Sequence, residues 1–288
     1  MGIFDKGIGV VGSTTIDKIV SQDQRVTKMG GVTAYAGITY SRFGVKTLAV
    51  TNIAKNDWSI IDRLEQENIT VLNGKTNHTT HFVNDIRENS RRQELLSRAR
   101  SIQPGQLSAV MKRVGGLHLG PLHPDDILSE ALTAMQNPEV KIFLDIQGYT
   151  RKVVTRIVSA AVSRHLPLAL KSAHIIKANG TELNYILEHH QMGLAELMKS
   201  FEIEESVITL GRKGGWVQTL SGEKYDYAAD RIDTVVDPTG AGDVFFAAYL
   251  TGRFANHLDI PDACRSAAHT AARQAAGKHI SIDRLILT

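Results

Sequence analysis

The sequence predicts an α/β protein with a mostly parallel central sheet and a small β flap beside it. Three observations predict this. Short apolar runs of strand length alternate with amphipathic stretches of about 10–15 residues, the rhythm of βαβ units. Two polar, alternating segments, residues 14–28 and 77–87, break that rhythm. The last third of the chain then carries a hairpin signal followed by two helical stretches.

Residues 7–12 (GIGVVG) form an apolar run ending in glycine and read as a buried strand, as do residues 45–53. Residues 71–72 and 79–83 suggest short strands, and residues 116–120, 140–146, 174–177 and 207–211 continue the series. Helical patterns fall between them at 34–43, 59–67, 125–135, 181–189 and 194–200. Residues 215–220 and 224–228 flank Ser221-Gly222, a turn pair, and read as a hairpin. Helices over 240–252 and 259–277 close the chain. The two polar segments resemble strands with one face open to water. They predict a flap inserted at about 14–28 and 77–100 within one domain spanning 1–288, with no internal repeat and no low-complexity linker.

The chain has 288 residues, 42% of them apolar, enough for a sizeable core. Net charge is +3, with acids and bases interspersed, so no nucleic-acid or membrane-surface partner is expected. The one local basic excess is Arg87, Arg91, Arg92, Arg98 and Arg100, which reads either as a solvated face or as arginine forks closing over an anion. The single cysteine, Cys264, sits in an alanine-rich helical stretch and reads as a buried thiol; no intrachain disulfide can form, consistent with a cytoplasmic location. No signal peptide and no apolar run of about 18 residues is evident, so no membrane span is expected.

The chemistry concentrates in Asp237-Pro-Thr-Gly-Ala-Gly-Asp243, which leads into an apolar helix. Glycines there let backbone N–H groups approach an anion with no Cβ in the way. The first N–H groups of a helix lack intrahelical acceptors and lie at the positive end of its dipole. Together they make a pocket for a phosphate or a developing oxyanion. A carboxylate in the first turn, Asp243, can accept a proton from a substrate hydroxyl.

This string resembles the signature of the ribokinase-like (PfkB) carbohydrate kinases. Three further matches occur in the family's order. Gly30-Gly31, with the helix that follows, resembles its N-terminal glycine pair; residues 177–182 (KANGTE) resemble its Asn-x-x-Glu motif; residues 209–215 (TLGRKGG) resemble its nucleotide-binding turn. The resemblance covers nearly the whole chain. It implies a ribokinase-like three-layer sandwich with a β lid, and an ATP-dependent kinase acting on a sugar or polyol hydroxyl with Mg²⁺. It implies Asp243 as catalytic base and an anion hole from Gly240, Ala241 and Gly242. Asn179 and Glu182 would organise Mg²⁺, mainly through water. Lys177, Asn179, Thr209, Gly211, Gly214 and Thr239 would line the nucleotide, with the helix near His269 beside the adenine. Asp17, Gly30, Gly31, Tyr35, Gln147 and Arg151 would face the acceptor. The exposed lid strands would offer a homodimer seam.

Ribokinases carry an asparagine four residues after the second glycine; this chain has Tyr35 there, which argues against a ribose pocket. The stretches GGVTAY, HLGPL and LDIQG, with Arg151, look closer to a subgroup that includes myo-inositol kinases. A nucleoside kinase of the same fold is the alternative, with Phe82 and Tyr35 as the candidates for a base slot. A non-enzymatic nucleotide-binding regulator is a third reading, opposed by Asp243 and its glycines. Gly7-x-Gly9-x-x-Gly12 fits a dinucleotide fingerprint only superficially, because its glycines bracket a strand instead of opening a helix. His118 and His123 flank a Gly-Pro turn at no zinc spacing and read as ordinary loop histidines, with Asp125 and Asp126 as cap and first turn of the next helix.

Overall fold

The computed structural model describes residues 2–21, 25–87, 90–135 and 140–287, and within these spans the side chains of all but Arg87, Ser90 and Arg91. In chain order the strands are β1 (Ile8–Val11), β2 (Thr15–Val20), β3 (Arg25–Gly30), β4 (Thr47–Thr51), β5 (Ile69–Asn73), β6 (Thr80–Arg87), β7 (Ser90–Ser97) and β8 (Gly116–Leu119). They continue with β9 (Lys141–Asp145), β10 (Arg151–Val154), β11 (Ile157–Ala160), β12 (Ile175–Asn179), β13 (Glu205–Thr209), β14 (Gly215–Thr219) and β15 (Lys224–Tyr227).

Nine of them form one sheet in the order β15-β14-β13-β12-β9-β8-β1-β4-β5. The pairs from β13 to β5 are parallel. The hairpin β14–β15 adds antiparallel at one edge. Successive residues of the inner strands enter opposite cores: Val10 and Val11, Phe143 and Leu144, Ile175 and Ile176, Val207 and Ile208 each divide between two clusters. That alternation explains why these strands read as unbroken apolar runs, since both faces are covered. Helices Val32–Arg42, Ala241–Phe254 and Ile260–Ala275 cover one face; Pro104–Met111, Leu166–Ser172, Gly180–His190 and Leu194–Phe201 cover the other. The result is the three-layer α/β sandwich that the sequence predicts.

The remaining six strands form a second sheet, the lid, in the order β10-β11-β7-β6-β2-β3. Its strand β2 and most of β3 fall in the first polar segment and β6 in the second, while β7 follows at 90–97, inside the stretch to residue 100 expected for the flap. The hairpin β10–β11 was not expected, because its four-residue strands lack a clear alternation. Among the described residues no helix is long and apolar enough to cross a membrane.

Two local expectations are corrected. The helix expected over 125–135 is only Ser129–Thr133, and its N-cap position is Leu128. Asp125 is not its cap and Asp126 is not in its first turn: the Asp126 carboxylate accepts from Ser13 Oγ (2.6 Å), Ser13 N (3.3 Å) and Leu122 N (3.0 Å), tying the end of β1 to the loop after β8. His118 is not a loop residue but lies in β8, fully buried, with Nδ1 3.1 Å from the Tyr40 hydroxyl; burial pushes its pKa down to about 4.

Asp126→Ala removes three accepted hydrogen bonds from a buried loop junction. It is expected to cost about 2–4 kcal/mol, seen as a lower urea midpoint at unchanged slope; a loss under about 0.5 kcal/mol would mean the junction is not held this way.

Candidate active site

A cavity of about 740 Å³ opens where the carboxyl ends of β9, β12 and β13 meet the lid, the usual ligand position in an open parallel sheet. The lid supplies Asp17 from β2, Phe82 and Asn84 from β6, and Gln93 from β7. These four converge through register: Asp17 is paired with Phe82 and Asn84 with Gln93. The Gln93 amide donates to Asn84 Oδ1 at 3.0 Å.

The 237–243 turn forms a second wall. Asp237 accepts from Thr239 N (3.0 Å) and pairs with the buried Lys28 ammonium, which fixes the turn to β3. Gly240 occupies the N-cap of the helix Ala241–Phe254 at φ +75°, and a Cβ there would meet the Tyr35 ring at 2.2 Å. Only glycine satisfies both conditions. No side chain among the described residues caps this helix; Ala241 N donates to the Pro238 carbonyl (3.2 Å), and Gly240, Ala241 and Gly242 line the cavity at the positive end of the dipole.

Beneath that turn lies a buried charge cluster. Lys177 Nζ is 2.7 Å from Asp145 Oδ2, and the ammonium would lie 3.0 Å from a Cβ at Gly242. Burial disfavours the lysine's charge, but Asp145, Glu182 and Asp243 outweigh it and hold the ammonium protonated well above the ordinary range. Asp243, half-buried in the cavity wall, is pushed up to about 7, first by burial and then by the Asp145 carboxylate, against the pull of Lys177 and Arg151. A carboxylate titrating there is matched to general-base work near neutral pH.

Asn179 and Glu182 form a reciprocal capping box: Asn179 Oδ1 accepts from Glu182 N (2.9 Å) and Glu182 Oε2 from Asn179 N (2.8 Å). Asn179 lines the cavity, whereas Glu182 lies buried outside its lining. Their oxygen donors suit Mg²⁺. Because Asn179 Oδ1 already holds the cap and Glu182 lies behind it, the pair fits that ion through its waters and not by direct ligation.

Of the residues expected from the sequence, Asp17, Gly31, Tyr35, Gln147, Arg151, Lys177, Asn179, Thr209, Gly211, Gly214, Thr239, Gly240, Ala241, Gly242 and Asp243 all line this one cavity. Gly30 does not; a Cβ there would sit 2.2 Å from Asp17 Oδ2, so its part is to leave room for that carboxylate. His269 does not line it; it is exposed and 2.9 Å from Oδ2 of Asp230, which does, and the same helix lines the cavity with Ala268, Ala271, Ala272 and Ala275. Arg92 pairs with Glu94 at 2.9 Å and stays out of the cavity; Arg98 and Arg100 line a different one, and the side chains of Arg87 and Arg91 lie outside the described ones. The sequence reading assigned no role to Asn84, Gln93 or Asp145. Asn84 stands two residues from Phe82, on the same strand face, which was the available signal.

A helix N-terminus opening onto a carboxylate tuned to neutral pH, under a lid of hydrogen-bonding side chains, defines a phosphotransferase that acts on a hydroxyl acceptor. The chain belongs to the pfkB family of carbohydrate kinases, which it matches over residues 8–282. A cytidine kinase of Thermococcus kodakarensis is 22% identical over 269 residues, which are 84% of this chain and 87% of that protein. A pyrophosphate-dependent kinase of the ribokinase family, solved with sulfate, superposes with a TM-score of 0.84 at 21% identity, covering 96% of this chain and 98% of that one. A pyrophosphate-dependent kinase of the same family, bound to a pyrophosphate analogue and myo-inositol, gives a TM-score of 0.82 at 22% identity with the same coverage. At such identities the likeness establishes the fold, not the acceptor or the donor.

The geometry sets two expectations. Gly240→Ala, which drives a methyl into the Tyr35 ring, should lower kcat/KM by about 100-fold through misplacement of the turn, with the far-ultraviolet circular dichroism retained; full activity would show that the contact is not made. Asp243 works as a base only when ionised, so log kcat/KM should rise with pH and level off above about 7. Asp145→Asn removes a repelling carboxylate and moves that limb to lower pH; Lys177→Met removes an attracting cation and moves it to higher pH. A limb that neither substitution displaces would separate Asp243 from the cluster.

Proposed function

We propose that the protein transfers the γ-phosphoryl group of ATP to a hydroxyl of a small polyol of the myo-inositol kind, or a similar carbohydrate. The observation that carries this reading is the continuity of one cavity past three walls: the polar lid, the 238–243 turn with its base, and an apolar slot of Ile232, Val235, Ala268, Ala271, Ala272 and Ala275. A purine ring needs such a slot, and small alanine side chains leave room for its flat face. Inorganic pyrophosphate has no use for it, which favours a nucleotide donor here although structural neighbours are pyrophosphate-dependent.

In this reading Asp17, Gln147 and Arg151 hold the acceptor's hydroxyls. Arg151 is oriented by its bond to the Leu122 carbonyl (3.2 Å). The lid excludes water. Asp243 takes the proton as the hydroxyl oxygen attacks the γ-phosphorus, the bond to the β,γ-bridging oxygen breaks, and ADP leaves. The N–H groups of Gly240 and Gly242 and the Lys177 ammonium stabilise charge on the transferring group, joined by the Ala241 N–H if it leaves the Pro238 carbonyl (3.2 Å). Asn179 and Glu182 would hold Mg²⁺ through its waters, and the ion would supply further neutralisation of the donor phosphates. The exposed Leu96 and Val154 on lid strands are consistent with a homodimer through the lid.

A nucleoside acceptor is the second reading. Buried Phe82 faces the cavity, and the Asn84–Gln93 amide pair beside it offers hydrogen bonds to a base edge. Tyr35 cannot share that role, since its ring is packed under Gly240.

The deciding assay couples release of ADP, or of phosphate from pyrophosphate, to a panel of inositols, sugars and nucleosides. A polyol phosphorylated with ATP alone supports the proposal; turnover only with pyrophosphate, or only on nucleosides, replaces it. With the substrate found, Asp243→Asn should retain ATP binding and lose about 10²–10⁴-fold in kcat.

A further inference from the structure

A second cavity of about 750 Å³ lies at the root of the lid and shares no lining residue with the first. Its walls come from the segment after β4, the connection from β5 into β6, and the segment leaving β7. Lys55, Lys75, Arg98 and Arg100 line it together with Trp58, and no aspartate or glutamate does.

The charges in this wall are mostly uncompensated. Arg98 reaches Asp125 at 3.2 Å, whereas Lys55, Lys75 and Arg100 have no ion-pair partner among the described residues. The other nearby carboxylate, Asp57, is engaged by Thr79 Oγ1 at 2.5 Å. Gathering like charges around a concave surface raises the local potential and draws anions. Trp58 is 50% exposed, an unusual amount for so large an apolar ring. Its indole face is available for stacking.

The backbone that holds these groups is cross-tied. Arg100 N donates to Thr76 Oγ1 (2.9 Å), which donates to the His78 carbonyl (2.8 Å). The Asn52 amide donates to the Arg100 carbonyl (2.5 Å) and accepts from Gln106 Nε2 (2.9 Å). Ala99 N donates to Thr80 Oγ1 (3.1 Å). The chain's entry into β6 and its exit from β7 are thus fastened to each other and to the end of β4, so the cations are carried on a preformed frame.

We infer that this cavity is a binding site for a small phosphate-bearing molecule, with its phosphates on Lys55, Lys75 and Arg100 and any planar ring against Trp58. The volume falls in the range of small-ligand pockets, and arginine and lysine together suit phosphate oxygens. Two sources share this chemistry, a free polyphosphate and a nucleotide, and Trp58 separates them. The inference does not depend on which acceptor or donor the active site uses.

The chain has two tryptophans, so Trp216→Phe leaves Trp58 as its sole indole reporter. Titration of that protein with inorganic pyrophosphate, and separately with ADP, should give saturable changes in Trp58 emission that weaken with added salt. Lys75→Ala combined with Arg100→Ala should weaken both by roughly tenfold or more while the kcat of the enzyme is kept. Lys75→Glu alone should act in the same direction, and guards against a double variant that fails to fold. Tighter binding of ADP than of pyrophosphate marks a nucleotide site, and equal binding a polyphosphate site. No saturable change, or a change that both sets of substitutions leave intact, overturns the inference.

Discussion

The buried ion pair between Lys177 and Asp145 is the interaction on which the rest of the site depends. The two residues are direct register partners on the adjacent parallel strands β12 and β9, so the sheet itself brings them to 2.7 Å. Removing two ions from water costs several kcal/mol each, and their attraction offsets this only with good geometry and further hydrogen bonds. Asp145 has one such bond, from Gln147 N at 3.1 Å. The pair is therefore poor evidence for stability and good evidence for function. It sets a permanent cation under Gly242 and a carboxylate close enough to Asp243 to raise its proton affinity.

The lid sheet adds the acceptor wall by a different route. Its hairpins leave the main chain path at three separate places, and the parallel pairing of β2 with β6 stitches the first two together. Asp17 and Phe82, far apart in the chain, become neighbours by that pairing alone. The cost is paid in glycine: Gly30, across from Thr15, carries no side chain because the Asp17 carboxylate occupies its space. The wall is thus specified by strand register, and a one-residue slip would turn every one of these side chains to the other face.

Donor and acceptor choice are decided by different materials. In the proposed reading the acceptor would meet amides, carboxylate and guanidinium at the lid side of the cavity. A nucleotide donor would meet glycine turns and a helix face of alanines. Kinases of one fold can differ in donor because this second surface is a lining, not a structural element, and can change without disturbing the sheet. The alanines of Ile260–Ala275 also serve the core on their other sides, since Ala263 and Ala267 pack against the neighbouring helix cluster. Small side chains here serve close helix packing and an open slot at once.

The amino-acid sequence by itself determined the α/β class, most of the main-sheet strands, the hairpin at its edge and the turn at Asp237–Asp243. Each of these rests on short-range physics: both-face burial writes continuous apolar runs, and a helix N-terminus that must admit an anion needs glycine at fixed offsets. Tertiary structure alone decided what required distance in the chain to be closed. Asp126 resembles a first-turn helix acid until Ser13 arrives to use its carboxylate. Asp145 is one more strand-end acid until β12 sets Lys177 beside it. His269 lies on the expected helix but on its solvent side, because the core takes the alanines and the helix can turn only one face to the cavity. Arg98 and Arg100, one basic run with Arg92 in the sequence, separate from it because the end of β7 carries them to the lid's root. Local pattern cannot encode such pairings, since each partner's own neighbourhood is satisfied with or without the other.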